Sequence, residues 1–134
     1  MKHLILTLLF AFFSAININA QQENSQFVKS FTKVSLTNEK GDFEIPVLGR
    51  NVFVFNYEGS DIKFYKANGE SEILRRTSEI KNDKTKDGRE YQWNNALDEN
   101  GNELLFVLYY DDEVRILYLD KSSGSTIFAI SFTP

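Results

Sequence analysis

Short apolar runs separated by turn residues, at intervals of roughly eight to twelve residues, leave this chain room for little but a β-sheet domain. The runs occupy residues 27–36, 43–48, 51–57, 61–66, 71–80, 90–97, 103–110, 113–120 and 126–133. Between them lie clusters such as Asn38-Glu39-Lys40-Gly41-Asp42, Asn68-Gly69, Asp98-Glu99-Asn100-Gly101-Asn102 and Lys121-Ser122-Ser123-Gly124. Connections this short favour antiparallel neighbours. The expected fold is all-β: a single small antiparallel meander of about eight or nine strands, barrel or sandwich, with room for one short helix. Two runs also fit helical spacing, through Phe27, Phe31 and Val34 and through Ile73, Leu74, Thr77 and Ile80. Residues 81–89 are polar throughout and read as a solvated loop.

Residues 1–20 have the layout of a secretory signal peptide. Lys2 and His3 form a positive start, an apolar run fills residues 4–13, and Ala20 is a small residue before Gln21. The run is too short to cross a bilayer. Export to the periplasm or the extracellular space is therefore expected, with a single β-rich domain over residues 21–134 and no integral membrane segment after cleavage.

The chain contains no cysteine, so a disulfide framework is impossible and the fold must rest on its core. Its one histidine, His3, leaves with the leader. A mature chain without imidazole or thiol can run neither a Ser-His-Asp nor a Cys-His mechanism, and cannot build the usual zinc site. The expectation is a non-enzyme with no cofactor and no metal. A carboxylate-dependent hydrolase is still chemically allowed, but 19 acidic residues make some close pair inevitable. Residues 98–103 look like a calcium loop at first sight, yet Gly101 stands fourth instead of sixth, and Tyr109 takes the twelfth position. A net charge of −4 argues against nucleic acid as a partner.

Hairpin arithmetic carries the argument further. A two-residue turn at Asp111-Asp112 sets Phe106 opposite Leu117 and Leu104 opposite Leu119 on one face. Val107 then opposes Ile116, Leu105 opposes Tyr118 and Tyr109 opposes Val114 on the other. Arg115 falls across from Leu108 and beside Ile130, on an apolar face. A four-residue connection after Asp120 puts Phe128 beside Leu117 and Ile127 beside Tyr118. A two-residue Asn68-Gly69 turn sets Lys63 opposite Leu74 and Tyr65 opposite Glu72. Both faces of the C-terminal strands are apolar, so something must cover the second one. Trp93 shares a face with Tyr91, Asn95 and Leu97 and reads as a core anchor.

The meander is comparable with the lipocalin and fatty-acid-binding barrels in architecture alone. The lipocalin Gly-x-Trp signature is missing, and Arg115 is followed by tyrosine only at Tyr118, on the opposite face. The function expected is a secreted or periplasmic, non-catalytic β domain. It binds a small apolar ligand, or a protein partner or second copy through the C-terminal strands. An envelope-associated structural role is the alternative. The candidate ligand contacts are Arg115, Tyr109, Tyr118 and Trp93. Arg115 has two readings: a buried guanidinium awaiting a carboxylate ligand, or a stem covering apolar surface while its head reaches water or an acid.

Overall fold

Five of the hairpin loops are built to one pattern, and that pattern sets the register of the whole sheet. The computed structural model describes residues 25–134, so the leader reading of residues 1–20 lies outside the described residues. Nine antiparallel strands form one sheet: β1 (Phe27–Leu36), β2 (Val47–Phe55), β3 (Ile62–Tyr65), β4 (Ser71–Arg76), β5 (Lys81–Lys84), β6 (Glu90–Leu97), β7 (Glu103–Tyr109), β8 (Glu113–Leu119) and β9 (Thr126–Thr133). Their order is β4-β3-β2-β1-β9-β8-β7-β6-β5. A second pairing of β4 with β6, Arg75 opposite Leu97 and Arg76 opposite Ala96, makes the sheet ring-like. Both segments with helical spacing are strands here, and the described residues contain no helix.

In the loops at residues 38–42, 66–70, 85–89 and 98–102, the first and fifth residues pair and the fourth donates its N–H back to the first carbonyl. Residues 109–113 repeat the pattern, with Tyr109 opposite Glu113 and Asp112 N–H donating to the Tyr109 carbonyl. The fourth position is left-handed each time, at Gly41, Gly69, Gly88, Gly101 and Asp112. This is a three-residue connection, a type I turn closed by one left-handed residue. A two-residue Asn-Gly turn of the primed type needs positive φ at both residues, and Asn68 is not among the residues with positive φ.

One extra loop residue moves every partner by one. Phe106 therefore opposes Ile116, Leu104 opposes Tyr118, Leu105 opposes Leu117 and Val107 opposes Arg115, which corrects the two-residue register. Lys63 likewise faces Ile73, and Tyr65 faces Ser71. The four-residue connection after Asp120 is present. A shift in pairing between Tyr118 and Leu119 then moves Phe128 from Leu117 to Tyr118.

Three further sequence readings change. The runs at 43–48 and 51–57 are not two strands, since β2 starts at Val47 and runs through both. Residues 81–84 are strand β5 on the outer side of β6, an edge whose charged side chains disfavour pairing with another chain. In β1 the register shifts between Phe31 and Lys33, so that Val34 joins Phe31 on the core. That irregularity produces the helix-like three-residue spacing.

The inside of the ring is filled. Phe31, Phe53, Phe55, Phe64, Phe106 and Phe132 pack with Ile62, Leu74, Leu104, Leu108, Val114 and Ile116. Phe53 stacks on Phe64 at 4.5 Å and meets Phe106 and Phe132 edge to face at 5.6 and 5.0 Å. Each of these residues comes from an alternating face, as the two-residue strand period demands.

Candidate functional site: a groove at one mouth of the ring

Since the middle is packed, the space lies at an end. A groove of about 410 Å³ opens where β1, β2 and β9 rise beyond the core. Its walls are Val34, Leu36, Ile45, Val47, Leu48 and Ile130, and its floor includes Phe64 and Phe132. Ile45, Leu48 and Val47 are 89%, 76% and 66% exposed, and Leu36, Ile127 and Phe128 add to the same apolar end. Scattered exposed apolar residues are ordinary on a small domain, but here they gather at one end of the sheet.

The polar groups enter from two strands. In β4, Glu72 shares the inward face with buried Leu74 and lies across from Phe64. In β8, Tyr118 faces inward across from Leu104. The Glu72 side chain is only 14% exposed, and its one charged partner is Lys66, whose ammonium stands 3.8 Å away. Burial pushes the Glu72 carboxyl above its ordinary range; Lys66 works against this, while Asp98 and Glu99 add to it. Burial, with Glu72 and Asp98, pushes the Tyr118 hydroxyl up to about 12.

The rim is held by Asn51. Its side-chain amide donates to the Gly49 carbonyl at 3.1 Å and accepts from Ala67 N–H at 3.1 Å, tying the β3–β4 turn to β2. A Cβ on Gly49 would stand 2.9 Å from the Ala67 Cβ, so this close approach requires glycine.

The other candidates meet elsewhere. Trp93, Tyr109 and Arg115 come together on the outer face of β6, β7 and β8, around a depression of about 230 Å³ that Tyr91, Leu105, Val107 and Leu117 complete. Trp93 is therefore not a core anchor. It lies half-buried on the outside, with the Lys81 ammonium 5.0 Å from its ring. The face of β6 that turns inward is the polar-looking one, where Asn94 and Ala96 are buried.

Arg115 faces outward opposite Val107 and Ser131, not inward against Leu108 and Ile130. Its Nε donates to Glu113 at 2.6 Å, and the guanidinium lies 5.0 Å from the rings of both Phe43 and Tyr109. Arg89 stacks on Tyr109 at 3.8 Å and bridges Asp111 and Glu113 with 2.7 Å contacts. Ser131 Oγ donates to Glu113 at 2.5 Å. Glu113 is buried, yet these donors hold its carboxyl below the ordinary range against the opposing effect of burial. The carboxylate that Arg115 requires is thus the protein's own. In the 98–102 turn, the Asp98 carboxylate accepts from the backbone N–H groups of Asn100 and Asn102 and from the Asn102 side chain.

Of the four candidates named from the sequence, only Tyr118 belongs to the groove. The missed residues are Glu72, Lys66 and the wall around Ile45 and Leu48. A signal existed for Glu72: it sits two positions before Leu74 in a strand, so burial of one turns the other inward. At a significant level, no protein-family model, no curated protein and no solved structure matches this chain.

Proposed function

We propose that this chain is a non-catalytic binding domain that takes a small, largely apolar molecule in the mouth groove, outside the cytoplasm. The observation that carries this reading is the groove itself: about 410 Å³ of apolar-walled space beside an exposed rim of Ile45, Val47 and Leu48. That size is within the range of small-molecule sites, which join apolar walls to a few polar groups. Its placement at the mouth replaces the idea of a ligand deep inside the ring, which among the described residues is packed with phenylalanines. The leader-like residues 1–20 support export. Nile red, a neutral apolar dye, should brighten on saturable binding to the protein, and Val47→Arg should abolish the signal while the fold survives, since Val47 is exposed. Equal brightening by both proteins would refute the assignment.

A second reading rests on the outer depression around Trp93, Leu105, Val107 and Leu117. This apolar outer face suits a second copy of the chain. Light scattering during size-exclusion chromatography tests it: a dimer that Leu117→Lys converts to monomer supports the reading, and a monomer at all concentrations removes it.

A further inference from the structure

Glu72 is the odd residue of the groove. Its side chain is mostly buried, its carboxylate oxygens open onto the groove, and its nearest charged partner is a lysine at 3.8 Å. Burial of this side chain across from Phe64 makes its ionised form more costly, and a further donor would relieve that cost. The surrounding charge makes the position worse. Glu44 lines the groove, and Asp98 and Glu99 act on Glu72 from the β6–β7 turn, against the single cation Lys66. Tyr118, across the groove, presents a hydroxyl to the same polar end.

Resting on the groove-binding reading above, we infer that the occupant is a cationic amphiphile: an aliphatic chain ending in a protonated amine, with the ammonium on Glu72 and Tyr118. The tail lies along Val34, Leu36, Val47, Leu48 and Ile130, where it covers apolar surface now open to water. The head adds hydrogen-bond donors to Glu72 in a site already negative. Charge complementarity therefore selects the head group, and the walls accept any straight chain of suitable length.

Isothermal titration of the intact protein with n-decylamine, n-decanol and decanoate, all below their aggregation limits and at neutral pH, separates the two claims. Decylamine should bind at least tenfold more tightly than decanol, and decanoate most weakly. Glu72→Gln should remove the amine's advantage and leave decanol unchanged, and Lys66→Met should strengthen decylamine binding several-fold. If the three ligands bind alike, or decanoate binds best, the head-group inference is overturned while the groove reading stands. If none of them binds, the groove reading falls as well. The head-group series on the unaltered protein decides the matter even if a variant fails to fold.

Discussion

Glu113 and Glu72 are two carboxylates of nearly equal burial, with side chains 10% and 14% exposed, and they have opposite fates. Glu113, on the outer face, accepts from Arg89, Arg115 and Ser131, and its carboxyl titrates below the ordinary range. Glu72, at the mouth, has one lysine at 3.8 Å and two acidic neighbours, and its carboxyl titrates above that range. Burial alone therefore does not decide what a buried charge does; the number of donors does. One site is a finished structural joint. The other has a single lysine at 3.8 Å and opens onto the groove.

The scale for testing this contrast comes from the core that both regions border. Phe53→Ala removes a fully buried ring at the centre of five aromatic neighbours and should cost about 3–5 kcal/mol in urea denaturation. Next in size, Glu113→Gln leaves two guanidinium groups without their shared carboxylate and should cost about 2–3 kcal/mol at neutral pH. A cost no larger than that of an exposed ion pair, such as Lys84 with Glu90, would break the distinction.

Acid unfolding should show the opposite signs directly. A lowered folded value means that Glu113 contributes its stabilisation fully above the ordinary 4.5 and loses it as pH falls through the lower folded value. A raised folded value means that Glu72 opposes stability at neutral pH, and this opposition fades as pH falls towards 4.5. Stability–pH curves of the two glutamine variants should diverge from the parent in opposite directions, and parallel curves would contradict the contrast.

Two smaller effects sharpen the account of the mouth. Gly49→Ala forces the Ala67 turn away from β2 and should cost about 1–2 kcal/mol, with weaker Nile red binding. Unchanged dye binding would detach the rim from the site. Smallest, and reversed in sign, Glu72→Gln should leave stability at pH 7 the same or raise it by up to about 1 kcal/mol.

Much of the fold was legible because strand formation is local. The alternation of residues 90–97 and the turn clusters between runs mark strands without knowledge of their partners. Register was not legible, because Asn68-Gly69 and Asp111-Asp112 suit both a two-residue and a three-residue loop. One residue of difference turns Arg115 from the inside of the ring to the outside. Strand β5 was hidden for another reason: an edge strand exposed on both faces shows no apolar period.

The sequence by itself determined the chemistry open to this protein. The absence of cysteine, and of any histidine beyond His3, is a property of composition that no folding can alter. It also determined that strands would form, since local propensity and turn chemistry act within a few residues. Only the tertiary structure decided which carboxylate is held by three donors and which opens onto the groove. Glu72 is set beside Phe64 and Tyr118 from other strands and feels Asp98 from the β6–β7 turn, so its proton affinity reflects distances that no stretch of chain encodes alone.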